Sequence, residues 1–335
     1  MKKFLSKISL FLLVLLACLI GLSQIHISDE FVIEKTHETS YEKLAWDLKK
    51  LQHPETLNDA NIFIGPSLVQ GDVNDSMLTA SGIYSVNMAI NHNGFDLDHY
   101  VAKRIMEVSK TEKMFLYRPR DGGSMLHPMM PLLVSPIDYA CTYHQFPVTF
   151  IRKYFPKRVY FAMQYLWSKV FPGNAIYQPS AYGWRGEVNT VIGSMKDNEA
   201  AIEEEIARRE DFGKTRINKD GTFYTPSTIK SYWRKTLYYY RGAAEPIRRI
   251  TVESAQKYNI PVSEIYMPVY DDAIIDSRTD NKTFFRQISG YDYDCFTLSS
   301  YSFLNDSNLW FDHHHLNSNG AVMFTDSLIV HFPQK

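Results

Sequence analysis

The sequence predicts an α/β fold around a parallel, doubly wound sheet, and three observations carry that expectation. Short apolar runs of strand length alternate with segments of helical periodicity. The first of those runs ends in Gly65-Pro66, a sharp turn suited to closing a buried parallel strand. The composition, 45% hydrophobic and 22% charged over 335 residues, supplies a packed core for one large domain or two small ones and carries no sign of wholesale disorder. A formal net charge of -1 gives no global drive toward nucleic acid, so no polynucleotide partner is expected.

The elements follow in chain order. Lys2, Lys3 and Lys7 precede an apolar run over residues 8–22 that ends near Ser23 and Gln24, so residues 1–27 read as a signal anchor or a signal peptide. The run is near the lower length limit for a membrane span, and no small-x-small cleavage site follows it. The adopted reading is a retained anchor in the cell membrane with the rest of the chain extracytoplasmic; a secreted or periplasmic product after cleavage is the alternative. Leu15-Leu16-Ala17-Cys18 resembles a lipoprotein cleavage box, but apolar residues continue past the cysteine.

Residues 28–57 are polar and helix-prone and read as a stalk or first helix, with the main domain over 58–335. Asn61-Ile62-Phe63-Ile64 is the first strand, with Ser67 at its carboxyl end; Ile83 to Met88 fits a second strand, Asp96 to Val108 a helix with Leu97, Val101, Ile105 and Val108 on one side, and Met114 to Tyr117 a third strand. From about 126 to 190 the alternation breaks into an aromatic, proline-punctuated stretch, which reads as an insertion or cap. Residues 195–211 read as a charged surface helix and 228–258 as one or two helices. Residues 260–268 read as a late strand, and 320–331 as a last helix capped by Ser318 or Asn319.

The strongest chemical pattern is Asp312-His313-His314-His315 in a loop before that last helix. At this spacing a carboxylate can reach the imidazole Nδ1, fix its tautomer and leave Nε2 to deprotonate a hydroxyl. The hydroxyl has to come from elsewhere, on a tight turn at the active end of the sheet, and Ser67 meets that description.

With these residues in hand, Ile64-Gly65-Pro66-Ser67-Leu68 and Asp312-x-x-His315-Leu316-Asn317-x-x-Gly320 resemble the first and last sequence blocks of the SGNH, or GDSL-like, hydrolases, in the same order along the chain. The resemblance implies a three-layer, flavodoxin-like α/β fold and a Ser67–His315–Asp312 triad. Among such proteins the anchored topology is similar to exported proteins that assist O-acylation of cell-surface polymers, of the alginate O-acetylation and teichoic acid D-alanylation type. It therefore implies a membrane-tethered serine esterase or O-acyltransferase acting on acyl, foremost acetyl, esters of cell-envelope polysaccharide, with a membrane-bound O-acyltransferase as partner. The alternative is a non-catalytic protein of that fold that binds polysaccharide or the membrane partner.

The remaining blocks depart from the pattern. Val86 to Gly94 sits where a backbone oxyanion donor belongs, with Gly94 the natural choice, but Gly94 is too far from Asn87 for the family spacing. The asparagine expected after the third strand is missing from Tyr117-Arg118-Pro119-Arg120-Asp121; Asn91, Asn93 or Arg118 are its candidate replacements.

Other readings stand beside these. Ser67 after Gly-Pro also fits an ordinary turn residue, and His313 to His315 with Asp312 also fits a metal site or a plain surface loop. The adopted reading has no metal and no cofactor. Residues 146–171 interleave Arg152, Lys153, Lys157, Arg158 and Lys169 with aromatics. Such a segment either lies on a membrane or fills a cap with its aromatics while its cations stay in water, and the second is preferred. Tyr177, Tyr182 and Trp184 are a candidate sugar-stacking platform. Cys141 and Cys295 either pair or remain separate buried thiols.

Overall fold

The computed structural model describes residues 2–37, 41–91, 94–117, 123–125, 127–143, 148–171, 239–241, 244–265, 267, 285–287, 309 and 315–332. The expected helix at 195–211, the aromatic platform at 177–184 and Cys295 lie outside them. The chain divides into two compact units, one of residues 1–35 with 127–177 and the other of 36–126 with 178–335.

The larger unit holds the sheet. Its strands are β1 (Asn61–Ile64), β2 (Ser85–Asn87), β3 (Lys113–Tyr117), β6 (Val262–Ile265) and β7 (Phe285–Gln287), in the spatial order β2-β1-β3-β6-β7. Four of these run parallel, and β7 pairs antiparallel with β6 at the edge, a departure from the wholly parallel sheet expected. A separate two-stranded ribbon joins β4 (Gly123–Met125) to β5 (Tyr239–Arg241), and β5 falls within the stretch 228–258 read from sequence as helical.

β1 lies between β2 and β3, and Ile62, Phe63 and Ile64 are all essentially inaccessible to water. A strand buried on both faces needs cover on both, so its sequence is a continuous apolar run and does not alternate. Phe63 stacks on Phe115 of β3 at 4.7 Å between ring centroids. Burying each such side chain contributes roughly 1.5–3 kcal/mol.

Helices of this unit are α3 (Glu42–Leu51), α4 (Ser67–Asp72), α5 (Asp75–Ala80), α6 (Phe95–Val108), α10 (Ala244–Lys257) and α11 (Ser318–Val330). They gather in two groups, α6 with α10 and α3, and α4 and α5 with α11, an arrangement compatible with a three-layer α/β fold. α6 forms because Leu97, Val101 and Ile105 recur at helical spacing and are buried, and it ends at the extended Ser109. A buried ion pair between Arg248 and Glu264 ties α10 to β6.

The last helix begins at Ser318, two residues before the start expected at Gly320, and its cap lies one residue before Ser318 and two before Asn319. Asn317 is its N-cap, and its side chain accepts from the Gly320 N–H at 3.0 Å.

The smaller unit contains α1 (Lys2–Ser23), α2 (Asp29–Thr36), whose last residue falls in the sheet unit, α7 (Met130–Leu133), α8 (Pro136–Tyr143) and α9 (Val148–Val170). The stretch Lys3–Ser23 is long and apolar enough to cross a membrane, a property an N-terminal signal sequence shares. Cys141 is an exposed free thiol on α8, which removes both the disulfide and the buried-thiol readings for it.

The preferred reading of residues 146–171, aromatics inside and cations in water, is partly reversed. Tyr154 is buried while Lys157 and Lys169 are exposed, as expected; Arg158 is buried, and Tyr160, Trp167 and Phe171 face outward.

Candidate active site

The site is built at the carboxyl end of β1. Gly65 follows the strand, Pro66 is extended at φ -78°, ψ -170°, and α4 starts at Ser67. Only glycine fits at position 65: a Cβ there would lie 2.6 Å from Cβ of Tyr117, the last residue of β3, and 2.7 Å from Cγ2 of Val69. The chain just beyond β2 continues this close packing, since the Ile90 N–H donates to the Gly65 carbonyl at 2.9 Å.

Ser67 Oγ lies 2.8 Å from Nε2 of His315. These residues are 248 positions apart, and two helix ends bring them together. Ser67 opens α4, and His315 precedes α11 by three residues. Thr325 of α11 fastens the helices to each other: its hydroxyl accepts from the Asn74 N–H at 3.0 Å and lies 3.3 Å from the Asp72 carbonyl at the end of α4. The His315 loop is closed at its own base, where the Asn317 N–H donates to the Leu309 carbonyl at 2.9 Å. Gly320 allows that closure, because a Cβ at 320 would approach the Leu309 oxygen to 2.1 Å.

Asp312, the third member of the expected triad, lies outside the described residues, as do His313 and His314, and among the oxyanion candidates Asn93 and Arg118. Asn91 directly follows the Ile90–Gly65 hydrogen bond and is partly exposed. Gly94 is buried as the N-cap of α6, its carbonyl accepting from the Leu97 and Asp98 N–H groups at 2.9 and 3.1 Å. Among the described residues no group of His, Cys, Asp and Glu is arranged to hold a metal ion.

Two features of the site escaped the sequence reading. One is the start of α4 itself: the first N–H groups of a helix have no acceptor within it, so the backbone donors of Ser67 and Leu68 stand beside the hydroxyl. An apolar run followed by Gly-Pro-Ser at a strand-to-helix junction is the signal that points to them.

The other is Asn87, the last residue of β2 and fully buried. Its side-chain amide donates to the carbonyls of Val69 at 2.9 Å and Val73 at 2.8 Å, and its side-chain oxygen accepts from the Ala89 N–H at 3.1 Å. The Asn87 amide thus closes the carboxyl end of α4, sharing the Val69 carbonyl with the Val73 N–H and taking the carbonyl of the C-cap residue Val73, and so holds the helix that presents Ser67.

Charged groups brace Asn87 in turn. Its N–H donates to Asp75 Oδ2 at 2.7 Å, and its carbonyl accepts from Lys43 Nζ at 2.6 Å. Lys43 and Asp47 form a buried i,i+4 pair at 3.4 Å, close enough for ionic attraction but without hydrogen-bond geometry. Burial dominates both groups. It lowers Lys43 against the pull of Asp47, and it raises the Asp47 carboxyl to about 7 against the pull of Lys43.

Compared with known proteins, the chain matches no family model, no curated protein and no solved structure.

Proposed function

We propose that this chain is a membrane-tethered, extracytoplasmic serine esterase or O-acyltransferase that acts on acyl esters of cell-envelope polysaccharide. The observation that carries the reading is the 2.8 Å approach of Ser67 Oγ to His315 Nε2, at the carboxyl end of a parallel strand where open α/β sheets place ligands.

In this reading Nε2 accepts the Ser67 proton while Nδ1 carries the other, and Asp312 accepts from Nδ1–H to hold that tautomer. Oγ bonds to the acyl carbon as the carbonyl electron pair moves onto oxygen, where the backbone donors at the start of α4, assisted by Asn91 or Gly94, stabilise the charge. Collapse of this intermediate breaks the bond to the leaving oxygen, which takes the proton from His315. The acyl group then rests on Ser67 as an ester. A glycan hydroxyl or water, deprotonated by His315, attacks that ester and returns Ser67 to its resting state. Transfer and hydrolysis differ only in the last acceptor. Retention of α1 as an anchor favours transfer, with acetyl delivered by a membrane-bound O-acyltransferase.

A fluorophosphonate probe tests the nucleophile. The native chain is expected to label, and Ser67→Ala to lose labelling and acetyl-ester turnover by about 1,000-fold or more. Unchanged labelling would overturn the assignment. Absence of any acyl-serine mass adduct from activated esters, with glycan binding intact, would favour the non-catalytic reading, which the missing asparagine after β3 motivates.

A further inference from the structure

α9 has two different faces. Tyr154, Arg158 and Ala162, at i, i+4 and i+8, are buried, and Tyr165 meets Phe31 of α2 edge to face at 5.3 Å. On the other side Tyr160, Met163, Leu166, Trp167, Val170 and Phe171 are exposed, Trp167 at 67% and Val170 at 68%. At 100° per residue these six cover an arc of roughly 140°, a continuous apolar stripe. They form the largest set of exposed large apolar side chains on any described element outside α1.

α9 packs on α1 within one unit, and Leu19, Leu22 and Ser23, at the carboxyl end of α1, are the α1 residues that lose exposure. Arg158 fixes that junction. Its guanidinium donates to the carbonyls of Ser23 at 3.0 Å and of Ile25, where α1 ends, and to those of Pro131 and Leu132 in α7 at 3.2 and 2.9 Å. The stripe is therefore held beside the end of the apolar helix, at the level where such a helix leaves a bilayer.

We infer that the exposed face of α9 lies in the membrane surface next to α1, and that the lipid bilayer is what covers it. Tyr and Trp are enriched at that depth because their rings are apolar and their polar edges stay wet. Exposed Lys157 and Lys169 flank the stripe, placed to meet anionic headgroups. Residues 160–171 extend only about 17 Å as a helix, too short to cross a hydrocarbon core and long enough to lie along it.

The inference rests on α1 being a retained anchor, and the experiment separates the two. The full chain is reconstituted in phosphatidylcholine–phosphatidylglycerol vesicles with plain or brominated acyl chains, beside Trp167→Phe, a conservative change on an exposed face. The emission lost in the variant belongs to Trp167, and bromination is expected to quench about half of it or more. A chain that floats with the vesicles but whose Trp167 emission is indifferent to bromine overturns this inference alone, whether water, a second copy or another protein covers the face. A chain that fails to float overturns the anchor and this inference together.

Discussion

The two units each bury a long cation, and they use it differently. In the sheet unit Lys43 is set against a carboxylate that can itself titrate, and it supports the carbonyl of Asn87 behind α4. In the smaller unit Arg158 spreads a guanidinium that cannot titrate over four backbone carbonyls at helix ends. The contrast teaches that burying charge serves two separate ends here. Lys43 supports the strand end that holds α4 and brings pH sensitivity with it, whereas Arg158 closes backbone hydrogen bonds independently of pH.

The largest effect should come from breaking the guanidinium clasp. Arg158→Met strips a donor from four carbonyls, and the smaller unit should lose about 3 kcal/mol or more. Hydrogen exchange should read this as lost protection over residues 130–170 with the sheet strands unchanged. Arg158→Lys should fail to restore it, because an ammonium cannot span the fork. Full protection in the methionine variant would show that the clasp is not what holds α9.

Next in size is Asn87→Leu, which removes the amide from the carbonyls of Val69 and Val73. The expected cost is about 2–3 kcal/mol, together with at least a roughly 10-fold slower reaction of Ser67 with fluorophosphonate. Ser67→Ala should leave stability nearly unchanged, so the pair distinguishes holding the helix from supplying the hydroxyl. Normal labelling in Asn87→Leu would mean that α4 keeps its place without the clamp.

The smallest net effects are in pH dependence, because two contributions of opposite sign largely cancel. Between about 3.8 and 7 the folded chain holds a proton on Asp47 that the unfolded chain has released, so Asp47 lowers stability as pH rises through that window. His99, whose Nδ1 lies 3.0 Å from the Thr251 hydroxyl on α10, is depressed to about 4, first by burial and second by Lys103. The unfolded chain binds that proton first, so His99 withdraws stability as pH falls from 6.5 toward 4. The two slopes oppose each other in the native chain. Relative to the native chain, Asp47→Asn should make stability rise more with pH over 4–6.5, and His99→Asn should make it rise less or fall more, as read from urea midpoints. Identical slopes in the two variants would refute the division.

What was legible in the sequence was local. A continuous apolar run closed by Gly65-Pro66 reads as a buried strand with a residue presented at its end. Leu97, Val101 and Ile105 repeat at a helical period, and Asp312 and His315 stand three residues apart in the sequence. What was not legible depends on partners far along the chain. Nothing near Arg158 announces the carbonyls of Ser23, Ile25, Pro131 and Leu132, and composition alone sends an arginine to solvent. Asn87 has the same history, since an asparagine ending a strand does not say which helix it holds. The cap of α11 was misplaced because Asn317, Ser318 and Asn319 can all cap, and the closure onto Leu309 selects among them.

The Thr325 contact with Asp72 and Asn74 has one more implication. Thr325 fastens α11 to the end of α4, and Asn87 and the sheet strands complete that frame. None of these elements comes from the sequence between β4 and β5, which is therefore free to lengthen, shorten or exchange its contents without resetting the gap between Oγ and Nε2. A lineage could rewrite that stretch and keep the Ser67–His315 contact throughout.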